Sequence, residues 1–287
     1  MLSAYLTDKD SMGLWAFINL VVFGLAVGAY GTLVGLGGGF VIVPVMLLVF
    51  HTTPQEAAGT SLAVVFFNAL SGSFSYIRQK RVDFKSGIKF ALATVPGAII
   101  GAQVSTYLSS NIFSLIFGLL MLTVSVLLIW KPEARRSQIA YTQEAPAKGR
   151  VTRRLIDGAG TVFVYSFNER TGIAISFFVG FLSSILGIGG GIVHVPALIH
   201  LFSFPAHIAT ATSHFILVIS TGVGAASHLW LGQVLIGPAI AMAIGAVIGA
   251  QLGAALSRRL HGVLIVRLLS VALLATGIRL ILSGLGA

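Results

Sequence analysis

Apolar runs long enough to cross a lipid bilayer recur along most of the chain, separated by short polar breaks. The pattern predicts a first segment from Gly13 to Val34 and a short second one from Gly38 to Phe50. At 1.5 Å per residue the second reaches only about 20 Å, too little for a hydrocarbon core of about 30 Å. A third segment opens at Thr53-Pro54-Gln55-Glu56, an N-cap threonine, an N1 proline and a capping-box glutamate, and ends near Tyr76. The fourth runs from Ile88 to Leu108 through Pro96-Gly97, where a kink is expected, and the fifth from Ile112 to Trp130. Residues 131–170 are hydrophilic. Within them Val151–Ile156 and Thr161–Phe167 flank a turn at Asp157-Gly158-Ala159-Gly160 and predict a β-hairpin. Five more segments follow: Thr171 to Leu186, a short one from Gly189 to Phe202, Pro205 to Trp230, Ile236 to Leu256 and Val263 to Leu282.

The second five segments repeat the first five. Gly35–Pro44 (GLGGGFVIVP) returns 152 positions later as Gly187–Pro196 (GIGGGIVHVP), and Thr60-Ser61 returns as Thr212-Ser213 at the same offset. Gly97–Gln103 (GAIIGAQ) returns as Gly245–Gln251 (GAVIGAQ) at an offset of 148. Five is odd, so two copies of a five-segment unit have opposite orientations in a membrane. Charge tests this independently. The loop after segment three carries Arg78, Lys80, Arg81, Lys85 and Lys89 against a lone Asp83, whereas its counterpart, Leu231–Leu235, has no charge. The turn Ser109-Ser110-Asn111 is neutral, whereas its counterpart holds Arg258, Arg259 and His261. Under the positive-inside rule, the loops near 80, 150 and 259 are cytoplasmic and both termini lie outside. The expected fold is therefore an all-α polytopic membrane protein. It has inverted repeats at 1–130 and 171–287, a cytoplasmic loop at 131–170, and broken or re-entrant helices at the glycine runs.

Composition agrees: 56% of residues are apolar and 9% charged, against about a quarter charged in soluble domains. The net charge of +10 resides mainly in loops, which makes it a topology signal and argues against nucleic acid. Asp8 and Asp10 around Lys9 do not suit a signal peptide. The chain has no cysteine, so disulfides and thiolate chemistry are excluded.

Three glycines in an apolar run cost a helix roughly 1 kcal/mol each against alanine. One reading is close helix packing through small residues. The other is a discontinuous helix: Gly37, Gly38 and Gly39 in one repeat, and Gly189, Gly190 and Gly191 in the other, would present free N–H groups and positive dipole ends to an anion. A dinucleotide loop would need a preceding strand, and here a membrane segment precedes. No Asp, Glu, Lys or Arg lies in the middle of a segment. A cation site would ordinarily use a buried carboxylate, so the substrate expected is a small anion. Thr60, Ser61, Thr212 and Ser213 are candidate hydroxyl ligands, unless each bonds its own i−4 carbonyl. Gln103 and Gln251 are expected as buried amides, either bonding between helices or lining the site.

His194 and His214 replace Ile42 and Leu62 of the first repeat. Titrating near neutrality, they are candidates for proton coupling or anion contact. His207 and His228, nearer the ends of their segment, are expected at the interfaces. Without carboxylates at ligand spacing, no metal site is expected. No cofactor is implied, and no nucleophile–base constellation of an enzyme occurs.

The paired glycine runs, the Thr-Ser pairs and the two Gly-Ala-x-x-Gly-Ala-Gln stretches resemble the sulfite exporter TauE/SafE family of bacterial membrane proteins, over roughly residues 13–130 and 171–285. The resemblance implies movement of sulfite, thiosulfate, an organosulfonate or another organic anion across the bacterial cytoplasmic membrane, coupled to a proton or sodium gradient. An uncoupled anion channel with the same site is the alternative. Oligomeric state and direction of transport are not encoded in these motifs.

Overall fold

The structure is a computed structural model and describes residues 13–130, 150–257 and 263–285. Its helices are α1 (Leu14–Val34), α2 (Gly39–Leu48), α3 (Pro54–Arg78), α4 (Phe84–Ser105), α5 (Ser110–Trp130), α6 (Glu169–Leu186), α7 (Gly191–His200), α8 (Ala206–Trp230), α9 (Ile236–Leu256) and α10 (Val263–Gly284). Six of them, α1, α3, α4, α6, α8 and α9, are long and apolar enough to cross a membrane. The protein is an all-α polytopic membrane protein carrying one hairpin, β1 (Val151–Ile156) and β2 (Val162–Phe167), paired antiparallel.

Local chemistry sets the helix ends. Thr53 caps α3 in a reciprocal capping box with Glu56, and Pro54 occupies the first turn. Asp83 caps α4 by accepting from Ser86 N–H, which starts the helix at Phe84 and not at Ile88. α4 then continues through Pro96 to Ser105 without a break. Gly35 and Gly187 close α1 and α6 in the left-handed conformation that glycine adopts without strain. Gly38 and Gly190, also left-handed, are the N-caps of α2 and α7. Each ten-residue half-helix is about 15 Å long, so neither crosses a bilayer.

The packing carries two consequences. First, counterpart helices α3 and α8 run antiparallel. Gly59 near the start of α3 faces His228 near the end of α8, and Gly72 near the end of α3 faces His214 near the start of α8. Two membrane-crossing counterparts in antiparallel contact are what an inverted repeat requires.

Second, the repeats interlock. α1 of the first repeat packs along α9 of the second, and α6 of the second along α4 of the first. α9 also packs on α3, and α4 on α8. The repeated Gly-Ala-x-x-Gly-Ala motif explains why. A Cβ on Gly245 or Gly249 would overlap the backbone of Val21 or Leu25, and one on Gly97 or Gly101 that of Phe177 or Phe181. These glycines let exchanged helices touch backbone to backbone. α5 and α10 pair with each other.

The hairpin fastens the α3–α4 turn to the second repeat. Tyr165 OH donates to Asp83 Oδ2 at 2.9 Å, and Arg153 lies 3.8 Å from the same carboxylate and 3.1 Å from Glu169. Burial first, and then the Asp83 carboxylate, push the Tyr165 phenol well above its ordinary value, so it stays protonated and donates. Phe167 packs edge-on against Phe90 and tilted against Phe202 and Phe204.

Candidate functional site

The two glycine breaks meet at the centre of the molecule. A Cβ on Gly39 would fall 2.6 Å from Gly187 O, and one on Gly191 would fall 2.7 Å from Gly35 O. Gly37 and Gly189 both rest against Val65 and Leu217, a pair related by the 152-residue repeat. Gly35, Gly37, Gly38, Gly187, Gly189 and Gly190 all have φ between 71° and 88°. A side chain at these positions would be strained even where space allowed one.

At each break the first N–H groups of a half-helix are free. Val41 and Ile42 bond back to Gly38 O, and Val193 and His194 to Gly190 O. Among the described residues, none accepts from the N–H of Gly38, Gly39 or Phe40, nor from that of Gly190, Gly191 or Ile192. All six residues are buried. Buried free N–H groups at helix N-termini form a partial positive charge.

The four hydroxyl candidates hold backbone from the opposite repeat. Ser61 Oγ donates to Gly187 O at 2.7 Å, and Ser213 Oγ reaches Gly35 O at 3.4 Å. Each thus satisfies the carbonyl that ends the other repeat's first helix. Thr60 Oγ1 accepts from Leu235 N–H, and Thr212 Oγ1 from Asp83 N–H, both at 3.0 Å. These are the residues just before α9 and α4. None of the four bonds its own i−4 carbonyl. Ser61 and Ser213 therefore sit at the breaks, while Thr60 and Thr212 lie one residue away and seat the exchanged helices.

Gln103 and Gln251 are not the buried amides expected from their small neighbours. Both lie on the outer surface, because the glycines of their motif, not the glutamines, face the partner helix. Gln103 lines an open groove with Ile99, Val223, Ala226, Ser227 and Trp230. Gln251 donates to Ser71 O at 2.7 Å and to Ser71 Oγ at 2.8 Å. Neither reaches the glycine breaks.

The histidines separate into distinct roles. His214 Nε2 lies 3.2 Å from Thr32 Oγ1, which donates to Asn68 Oδ1 at 3.1 Å. The threonine's only proton is thus committed, so His214 is the donor through Nε2 and its Nδ1 is a bare, buried acceptor. Asn68 Nδ2 completes the network on Gly37 O at 3.1 Å. His194 Nε2 lies 3.1 Å from Ser176 Oγ, which donates to Gly172 O. His194 is therefore tied to α6 and not to the other repeat. His228, expected at an interface, is fully buried between Ser184 O and Gln233 Oε1. It does the work that Tyr76 does in the first repeat, where the phenol donates to Thr32 O at 2.7 Å. His207 is exposed.

Sequence reasoning missed Thr32 and Asn68 and their counterparts Ser184 and Ser220. Extending the 152-residue offset across all polar positions of α1 and α3 would have found them. The two sets differ in satisfaction. Thr32 and Asn68 both have hydrogen-bond partners, but among the described residues Ser183, Ser184 and Ser220, at most 3% exposed, have hydroxyls without one. A buried hydroxyl left unmatched costs about 1–3 kcal/mol.

Comparison with known proteins agrees with this architecture. The chain is 43% identical over 277 residues, 94% of its length and 99% of the relative's, to the probable membrane transporter protein YunE of Bacillus subtilis. It is 26% identical over 240 residues to a probable membrane transporter protein of Methanocaldococcus jannaschii, covering 78% of this chain and 80% of the relative. A probable membrane transporter protein of Haemophilus influenzae matches at 29% over 208 residues, 71% of this chain and 69% of the relative. No solved structure matches. The family model for sulfite exporter TauE/SafE matches residues 20–280, a span that contains both glycine breaks and every exchanged helix contact. The chain belongs to the sulfite exporter TauE/SafE family, whose members are membrane transporters.

Proposed function

We propose that this protein is a secondary transporter for a small anion, sulfite or an organosulfonate, and not an enzyme. The observation that carries the reading is the meeting of the two glycine breaks, with six buried half-helix N–H groups that have no acceptor among the described residues and no Asp, Glu, Lys or Arg in the middle of the surrounding segments. Such an arrangement favours negative charge through dipoles and N–H donors without a fixed cation. The family's printed description, sulfite exporter, supports the choice of substrate class.

In the proposed mechanism access to the anion site alternates between the two sides of the cytoplasmic membrane as the interlocked bodies rock relative to each other. One body is α1, α2, α3 and α9; the other is α6, α7, α8 and α4. The assignment follows from the contacts of α9 with α1 and of α4 with α6. The hairpin lies on the cytoplasmic side and both termini outside, in accord with the loop charges. His214, with its bare Nδ1, is the candidate for proton coupling.

Proteoliposomes containing the full chain test the reading. Sulfite movement should respond to an imposed pH or sodium gradient and saturate with concentration. Movement that is passive and indifferent to both gradients would make the protein a channel. No sulfite or sulfonate movement at all would refute the anion reading.

A further inference from the structure

The two breaks have matching backbones but different surroundings, and the difference points to one of them. In the first break the space above the α2 N-terminus is closed. Gly31 stands there, and a Cβ on it would fall 2.5 Å from Gly38 N. The nearby polar groups Thr32, Asn68, His214 and Gly37 O bond one another, and the ring nitrogen left over, His214 Nδ1, is an acceptor and not a donor. In the second break the residue matching Gly31 is Ser183. Its Cβ and Oγ lie 3.3 and 3.5 Å from the point a Cβ on Gly190 would occupy, so its hydroxyl overlies the α7 N-terminus.

Ser184 matches Thr32 and Ser220 matches Asn68, but His214 has become Leu62. Leu62 and Ser184 Oγ both face Gly224, one turn beyond Ser220 on α8. Among the described residues the three serine hydroxyls are buried and unpartnered, with Ser183 over the free N–H groups of the α7 N-terminus and Ser184 facing the turn of α8 that follows Ser220. This is a set of donors short of an acceptor. A compact oxoanion, with several oxygens on one centre, supplies acceptors in the number and spread required.

Resting on the anion-transport reading above, we infer that the oxoanion docks on the second break alone. Its donors are the hydroxyls of Ser183, Ser184 and Ser220 and the N–H groups of Gly190, Gly191 and Ile192. The first break is a fixed hub, locked by Asn68 and His214, around which the second opens and closes.

The test uses the purified full chain with sulfite and methanesulfonate as probes. It reads affinity by calorimetry and, separately, the thermal midpoint without anion. Ser183→Ala and Ser220→Ala should each weaken sulfite at least tenfold while leaving the anion-free midpoint unchanged or raised, because no existing hydrogen bond is lost. Asn68→Ala should lower the midpoint, with affinity of the folded protein held within about threefold. Wild-type binding that both serine variants retain, but Asn68→Ala loses, would place the anion at the first break and overturn the inference. A wild type that binds neither probe would overturn the inference and the anion reading together.

Discussion

At the scale of single residues, the Thr-Ser pairs divide labour in a way their spacing alone did not disclose. Ser61 and Ser213 face the breaks, whereas Thr60 and Thr212 accept from the backbone at the starts of α9 and α4. Replacing Thr212 with valine keeps the shape but leaves Asp83 N–H buried without an acceptor, a cost of about 1–3 kcal/mol. Thr212→Val and Thr60→Val should therefore lower the thermal midpoint, and an unchanged midpoint in both would show that these bonds contribute nothing. The repeat offset was enough to mark the pairs as important. It could not tell which oxygen faces a ligand, because that depends on helices brought together from opposite halves. Gln103 and Gln251 show the same limit. Small neighbours suggest burial for either amide, but the glycines occupy the contact face and turn the glutamines outward.

At the scale of elements, the sequence announced most of what formed. The capping box at Thr53 and Glu56, the hairpin and the shortness of both half-helices all follow from local rules, and each is present. The start of α4 was read late, since charged Lys85 and Lys89 concealed a helix that Asp83 caps from inside the fold. That aspartate also receives Tyr165 and Ser86 Oγ, the latter at 2.6 Å. Asp83→Ala should release the hairpin, at about 2 kcal/mol or more for hydrogen bonds to a charged acceptor. Hydrogen exchange of the Val162–Phe167 amides should accelerate. Protection equal to wild type would mean that the aromatic cluster around Phe167 holds the hairpin without Asp83. The half-helices are the more sensitive elements. At Gly38 (φ +88°) a valine would be strained and its Cβ would fall 2.5 Å from Val27 Cγ1. Gly38→Val should lower the thermal midpoint through that clash, whereas Gly190→Val should insert into the membrane but lose sulfite binding; unchanged binding in Gly190→Val would remove the second break from the site.

At the scale of the whole molecule, inversion was legible because it needs only parity and loop charge. The exchange of α4 and α9 was not, since no one-dimensional pattern states which helix a glycine face will meet. Antiparallel α3 and α8 agree with inversion. The sidedness assigned to it can be read by labelling. In this cysteine-free chain, Lys80→Cys should react only from the cytoplasm and Trp230→Cys only from outside, and reaction of both from one side would reverse the assignment. Interlocking also constrains the motion. Neither sequence half can move as a unit without carrying a helix of the other. The account rests on an anion held where the two breaks meet. A structure of the full chain with bound selenite, a heavier analogue of sulfite visible by its anomalous signal, measures this most directly. The account predicts density against the N–H groups of Gly190, Gly191 and Ile192; selenite bound only elsewhere, such as in the open groove beside Gln103 and Trp230, would contradict it.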